Sequence, residues 1–312
     1  MPHRVALLER VRGEQNRGRH VPMLAIAGDS ASGKTTLTRG LVGALGSDKI
    51  TSMCTDDYHR YDRTERKSLP FTPLNPECNY LTIMEQHLQL LTLGQPILKP
   101  VYNHAQGTLD RPVLLEPQEF VIIEGLFPLY SKLSRACFDV TVFLDPPEPL
   151  RHKWKVNRDT SQRGYTEEQV LADLVRREPE SAAFIRPQRK HADIVIRFKP
   201  TSDDNGDNLN VEILLRPTIT HPDLSDILSS DTREAIHLKL IRDEDGKPVD
   251  ALHVHGGAPQ GMTREIEEAI WSHMNIPTPI PESIGSVGPV NRSEPLAVAQ
   301  LVLLYHLLAA NS

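Results

Sequence analysis

The sequence predicts an α/β fold, a mainly parallel sheet flanked by helices with a smaller C-terminal α+β part, and three observations carry it. Short apolar runs alternate with helical patterns through the first two-thirds of the 312 residues, as strands joined by crossover helices do. Beyond residue 208 the texture changes, and strand-like runs follow one another at hairpin spacing. Between an apolar run and a helical one, residues 28–35 read Gly28-Asp29-Ser30-Ala31-Ser32-Gly33-Lys34-Thr35, a complete G-x-x-x-x-G-K-[ST] phosphate loop.

Taken in order, the strands are expected at Met23–Ala27, Ile50–Thr55, Phe120–Glu124, Val140–Leu144 and Ile194–Phe198. Helical spacing falls at Thr36–Leu45, Cys78–Leu93, Pro149–Arg163 and Glu167–Arg177. Asp62–Pro76, polar and proline-bearing, reads as a loop over the site and a candidate lid; Lys99–Pro117 reads as a strand-and-loop excursion. Ser202–Asp207 clusters acidic, Asn and Gly residues without apolar anchors and is expected to be a surface linker. After it come strands at Leu209–Arg216, Ile236–Ile241 and Val249–His255, the last two joined by the Asp243-Glu244-Asp245-Gly246 turn. Helices are expected at Arg264–Met274 and Leu296–Ala310, the second capped by Ser293 with Pro295 in its first turn. The organisation is thus an N-terminal extension over 1–20, a main domain over 21–200 and a C-terminal α+β subdomain over 208–312.

Charge and composition narrow the classes. Net charge is −6 and the basic residues are dispersed, so nucleic acid is not an expected partner. Cys54, Cys78 and Cys137 lack ligand spacing, which argues against a zinc site or a disulfide framework. The first twenty residues carry five arginines but no apolar core of a secretory signal, and Glu9 and Glu14 are unlike a mitochondrial presequence. The most apolar stretch, Leu296–Ala310, is interrupted by Gln300 and His306 and too short to span a bilayer. No membrane association and a cytoplasmic location are expected.

In the phosphate loop the glycines let backbone N–H groups turn toward phosphate oxygens. Lys34 can reach the β- and γ-phosphates of ATP, and the Thr35 hydroxyl can ligate Mg²⁺. Gly28, Asp29, Ser30, Ala31, Ser32, Gly33, Lys34, Thr35 and Thr36 are therefore the candidate nucleotide site. Phosphoryl transfer also needs an acceptor base, a metal partner and cations. The strand beginning at Ile50 runs into Asp56-Asp57-Tyr58-His59 at the carboxyl edge of the sheet, where such folds bind ligands. An Asp pair elsewhere would simply open a turn; one strand from a phosphate loop it can accept a hydroxyl proton. Glu124 ends a buried strand in the usual position for an acidic group that binds Mg²⁺ directly or through water, so Thr35 and Glu124 are the candidate metal residues. Lys155, Arg158, Asp159 and Arg163 share adjacent faces of one helix and can close over phosphates.

Together, Gly28–Thr35, Cys54–Arg63, Tyr102-Asn103-His104, Val121–Gly125, Lys155–Gly164 and Pro187–Ile196 resemble the phosphoribulokinase branch of the phosphoribulokinase and uridine kinase family of P-loop kinases. The likeness covers roughly residues 20–200 and extends more weakly into Ser293–Leu308. It implies ATP-dependent phosphorylation of the C1 hydroxyl of D-ribulose 5-phosphate to ribulose 1,5-bisphosphate for carbon dioxide fixation. By this resemblance Asp56 is the catalytic base and Glu124 handles Mg²⁺. Lys155 and Arg158 attend the moving phosphoryl group, and Asp159 is a second essential acid. His59, Arg63, Lys67, Tyr102 and His104 hold the sugar phosphate, and Arg163, Arg176 and Arg177 bind phosphate. His59, Arg63 and Lys67 recur every four residues, a spacing of cations that a neutral nucleoside does not require. A small-molecule sugar phosphate is then the partner, and a homo-oligomer is expected.

The departures also count. Plant-type enzymes carry a regulatory cysteine inside the loop, where this chain has Ala31-Ser32, so no disulfide between loop and acceptor strand is expected, and Cys54 reads as a small buried residue. Residues 209–292 fit the plant-type pattern poorly. Two other readings stand beside the first: a kinase of the same group acting on uridine or another sugar phosphate, and an ATP-binding regulatory protein with no acceptor.

Overall fold

Met23–Gly28 is buried along its whole length and forms β1, the middle of the sheet. The computed structural model describes residues 20–201, 208–222, 235–258, 260–288 and 291–310. The N-terminal extension up to residue 19 and the expected linker Ser202–Asp207 lie outside the described residues. Parallel to β1 run β5 (Phe120–Gly125) on one side and β6 (Val140–Leu144) on the other. β2 (Ile50–Cys54) lies outside β5, and β7 (Ile194–Pro200) outside β6. Buried on both faces, β1, β5 and β6 read as continuous apolar runs, as parallel strands under helices do.

Beyond β7 the pairing turns antiparallel. β8 (Leu209–Leu215), β10 (Pro248–Val254) and β9 (Ile236–Arg242) join the same sheet, in the order β2-β5-β1-β6-β7-β8-β10-β9. The expected C-terminal part therefore shares one sheet with residues 21–200. One apolar cluster also runs from Leu24 and Ile26 of β1 through Ile213 and Leu252 to Ile266 and Leu304.

Helices cover both faces. α1 (Lys34–Leu45) buries Leu37 and Leu41. α2 (Leu81–Thr92) buries Met84, Leu88 and Leu91 in a second cluster with Met53, Val121 and Ile123 on the opposite face. α2 starts three residues later than the expected Cys78. Asn79 is held extended there, its amide donating to Pro73 O and Asn75 O and accepting from His59, so the chain cannot yet wind. The excursion after Lys99 is a separate hairpin, β3 (Ile97–Asn103) with β4 (Thr108–Leu115). After the short α3 (Lys132–Arg135) come α4 (Glu148–Gln162) and α5 (Glu167–Glu180), the latter opened by a capping box of Thr166 and Gln169. α6 (Gln260–His273) and α7 (Glu294–Ala309) complete the fold, with Ser293 Oγ capping α7 through Leu296 N–H.

α7 is buried almost all round because it lies between α1, α6 and the sheet. Its buried Gln300 accepts from Gly285 N–H at 2.7 Å and donates to the carbonyls of Thr36 and Leu37 in the first turn of α1. Among the described residues no helix is long and apolar enough to cross a membrane, and Cys54, Cys78 and Cys137 are free thiols.

The segment read as a lid is only half open. Thr72 N–H and the Asn75 amide donate to the Glu180 carboxylate, and Leu74 is 1% exposed, which pins residues 72–75 to the end of α5. The polar first half, with its turn at Glu65–Ser68, stays at the surface.

Arg216, 0% exposed, binds the C-terminal hairpin to the sheet core. It donates to the carbonyls of Arg189 and Ala192 at 2.8 Å, and to Asp243 and Asp245 at 2.6 Å. Arg216→Ala leaves the buried Asp243 paired, among the described residues, only with the more distant Arg189, at 3.9 Å, and is expected to cost about 3–5 kcal/mol, read from urea unfolding. A second expectation concerns pH. Glu267 of α6, buried beside Arg292 and Glu294, is pushed up to about 7, chiefly by desolvation. Its folded value lies above the unfolded one, so stability should fall as pH rises from about 4.5 to 7. Glu267→Gln should flatten that slope in unfolding curves taken at pH 5 and pH 8.

Candidate active site

The carboxyl ends of β1, β5 and β2 build the site. β1 ends in Gly28 (φ 153°), where a Cβ would lie 2.8 Å from Leu144 O and 2.7 Å from Ser32 Oγ. The loop that follows closes on itself through Ser32 N–H to Asp29 O and leads through Gly33 (φ 99°) into α1. Lys34 Nζ folds back onto the carbonyls of Gly28 and Asp29 at 2.8 and 2.7 Å. Burial lowers its pKa, opposed by Glu124, Asp56 and Asp29. Thr35 is exposed at the start of α1, and Thr36 is half-buried behind it.

Glu124 stands at the end of β5. Its Oε1 accepts from the Thr35 hydroxyl at 3.1 Å, while Oε2 is buried without a partner. Desolvation raises Glu124 above the ordinary carboxylate range, against the pull of Lys34 and the Thr35 bond. A hydroxyl beside a buried, unsatisfied carboxylate oxygen suits a hard, oxygen-seeking cation such as Mg²⁺, whose other ligands are phosphates and water. Among the described residues no cluster of three or more His, Cys, Asp or Glu side chains is arranged to hold a metal.

After Cys54 the chain turns through a 3-10 helix, Thr55–Tyr58, that carries Asp56. The buried Thr55 hydroxyl accepts from Leu126 N–H at 3.0 Å, which ties this turn to the end of β5. Asp56 keeps 27% side-chain exposure. Desolvation alone would raise it, but His59, His104, Lys34 and Arg163 outweigh that and hold its pKa below the ordinary value. Asp56 is thus a carboxylate held toward its ionised form, with the phosphate-loop lysine and His104 among its neighbours.

The side where the acceptor is expected comes from hairpin β3–β4 and residues 59–67. His104 Nε2 is 3.8 Å from Asp56 Oδ2, and Tyr102 lies edge-on between His59 and His104. Arg63 N–H donates to Gly107 O, and its guanidinium to His104 O. His59 differs from the expected phosphate cation. It is 5% exposed and bonded through Nδ1 to Asn79, and burial lowers its pKa against the pull of Asp56. The four-residue spacing of His59, Arg63 and Lys67 does not align them either, because the segment is an irregular loop and a 3-10 turn; Lys67 is exposed on that turn.

α4 and α5 form the third wall. Arg158 Nη2 donates to Ser30 Oγ at 3.2 Å and its Nε to Asp159 at 2.8 Å. Lys155, 3% exposed, is enclosed in ion pairs with Asp159 at 2.7 Å and Asp173 at 3.5 Å rather than open to the cleft. Asp159 is drawn below its ordinary range despite burial, by bonds from Arg158 and Lys155. Arg163 approaches Asp159 at 3.5 Å, and Arg177 pairs with Asp173 at 2.7 Å. Arg176, expected at phosphate, instead donates to the carbonyls of Leu69 and Phe71 and braces the loop.

Sequence reasoning missed two arginines. Arg151, 4% exposed, donates to Ser30 O at 3.1 Å and lies 3.6 Å from Asp29. Its spacing of four and seven from Lys155 and Arg158 was the available signal. Arg66 packs over the Tyr102 ring at 4.9 Å and bonds its hydroxyl; no periodicity marks it.

The sequence model of the phosphoribulokinase / uridine kinase family matches residues 23–204. A phosphoribulokinase of Synechocystis is 42% identical over 181 residues, which cover 58% of this chain and 54% of that protein. The chain thus spans about half the length of that relative. A uridine kinase of Staphylococcus epidermidis is 31% identical over 185 residues, covering 56% of this chain and 86% of that one. Among solved structures, phosphoribulokinase from Rhodobacter spheroides superposes with a TM-score of 0.59 at 20% identity, over 81% of this chain and 97% of that one, a likeness of fold.

The tightest approach in the site is testable by itself. A Cβ on Gly125 would lie 1.8 Å from Thr55 Oγ1. Gly125→Ala should therefore push the Asp56 turn away from β5 and cost about 1–3 kcal/mol in urea unfolding; unchanged stability would contradict the contact.

Proposed function

The chain belongs to the phosphoribulokinase / uridine kinase family, and from that premise we propose that it transfers the γ-phosphoryl group of ATP to the C1 hydroxyl of ribulose 5-phosphate. One observation carries this reading: Asp56 is ionised, partly open, and interposed between the phosphate-loop lysine and a wall of Tyr102, His104 and Arg63. A sensor of ATP has no need of a base facing an acceptor.

The chemistry is in-line transfer without a covalent enzyme intermediate. Residues 28–35 hold the phosphates through backbone N–H groups, and Lys34 exchanges its contacts with Gly28 O and Asp29 O for phosphate oxygens. Thr35 and Glu124 would hold Mg²⁺, which when bound neutralises phosphate charge. Asp56 orients the acceptor hydroxyl and takes its proton as the new O–P bond forms. Arg158, fixed to Ser30 and Asp159, supplies positive charge beside the loop, with Arg163 next to it. Lys155, enclosed with Asp159 and Asp173, braces Arg158 through Asp159 and reaches phosphate only if α4 and α5 shift. Arg63, beside His104, favours an acceptor that itself carries phosphate, since a guanidinium holds phosphate bidentately. The names of the phosphoribulokinase relatives support the same acceptor.

Uridine is the second reading, supported by the Staphylococcus relative, most of whose length this chain matches. ADP release from ATP and Mg²⁺ separates the cases when ribulose 5-phosphate, uridine and no acceptor are run side by side. Release dependent on ribulose 5-phosphate is expected; release with uridine alone moves the protein to the nucleoside branch. Asp56→Asn should lower transfer by ~10²–10⁴-fold with ATP affinity nearly unchanged, and full transfer in that variant would overturn the assignment of the base.

A further inference from the structure

Asp56 and Asp57 are neighbours on one short turn, yet only Asp56 faces the cleft. Asp57 is 15% exposed and points to hairpin β3–β4, where Oδ1 accepts from Tyr102 N–H at 2.9 Å and Oδ2 pairs with Lys99 Nζ. Lys99 is 13% exposed and also donates to Pro100 O. The register of the hairpin breaks between Lys99 and Val101, around Pro100, which has no N–H to give. Asp57 thus binds β3 on both sides of its irregularity.

The hairpin forms its own two-stranded sheet and shares no ladder with the main one. Two strands alone are marginally stable in water, and the outer residues Leu98, Val113 and Leu114 are exposed. Ile97 and Leu115 pack the near end of the hairpin against α2, so the far end, which carries Tyr102 and leads to His104, depends on side-chain anchors at the turn and the loop after it, and Asp57 is the one adjacent to the proposed base. We propose that Asp57, with Lys99, is a positioning residue that fixes hairpin β3–β4 against the Asp56 turn and so sets Tyr102 and His104 in the acceptor wall. The inference rests on the acceptor site of the proposed function and adds to it a role for the second carboxylate.

The test uses the full-length protein with Asp57→Asn, Lys99→Met and Lys99→Arg, and two independent readouts. Without any substrate, hydrogen exchange at Tyr102–His104 should quicken about tenfold or more in Asp57→Asn and Lys99→Met, as loss of a charge-assisted bond predicts, while amides of α1 do not change. Lys99→Arg keeps the ion pair and should exchange as the parent does. With ribulose 5-phosphate, kcat/KM should fall by about 10- to 100-fold in the first two variants while the dissociation constant for ATP stays within about twofold. Their double variant should lose no more than the worse single, because both break one contact. Unchanged exchange in Asp57→Asn and Lys99→Met, additive losses, or full transfer despite a loosened hairpin would each overturn the proposal. If the parent protein fails to use ribulose 5-phosphate, the acceptor assignment fails, and the exchange data still decide whether Asp57 and Lys99 hold the hairpin.

Discussion

Close approach at the ends of two neighbouring parallel strands is the constraint on which the site depends. Gly28 closes β1 and Gly125 closes β5, one residue apart in register. Each leaves out a side chain where another backbone must pass. At Gly28 the space goes to the phosphate loop and Leu144 O; at Gly125 it goes to Thr55. With a Cβ at both, the loop could not fold over β1 and the Asp56 turn could not reach β5. Every later feature, from the Thr35–Glu124 contact to the Asp56–His104 approach, presupposes those two gaps.

The second organising feature is that charge is compensated unevenly. Around α4 the carboxylates and cations pair off almost completely, as Asp159 with Lys155 and Arg158, and Asp173 with Arg177, show. Paired charges in a half-buried wall hold geometry, because separating them leaves an uncompensated charge. In the cleft the balance is left open. Among the described residues the Asp56 carboxylate has cationic or ionisable neighbours but no hydrogen-bonded partner, and Glu124 keeps one oxygen unsatisfied. These two carboxylates are the groups to which the proposed reaction brings a hydroxyl and a cation.

Much of this was legible in the sequence where one residue type had a single physical use. The phosphate loop, the buried parallel strands and the Ser293 cap follow from local pattern, and the structure has them within a few residues of the expected limits. The acceptor side was less legible because its residues are placed by tertiary contacts. Regular spacing made His59, Arg63 and Lys67 look equivalent, yet the chain there is not helical, and Asn79 from a distant turn draws His59 inward. Arg66 looks like an ordinary surface cation in sequence and finds Tyr102 only through the fold, whereas Arg151, which reaches Ser30, shares the helical spacing of Lys155 and Arg158. The change of texture after residue 208 was real, but it marked a switch from parallel to antiparallel pairing within one sheet. Sequence pattern alone does not separate that switch from a new domain, since both read as strands joined by tight turns.

That continuity bears on the site as well. Asp145, directly after β6, accepts from Arg189 and Arg197 at 2.9 Å, and Arg189 in turn pairs with Asp245 in the turn between β9 and β10. The last residue of β6, Leu144, lies in register with Gly28. The C-terminal strands are thus joined through a chain of charged contacts to the strand that borders the phosphate loop. On the opposite face of the sheet, Gln300 joins α7 to the first turn of α1. The described residues of the C-terminal part are thereby linked to both the strand and the helix between which the nucleotide phosphates would lie. The C-terminal strands thus continue the sheet that carries the phosphate loop.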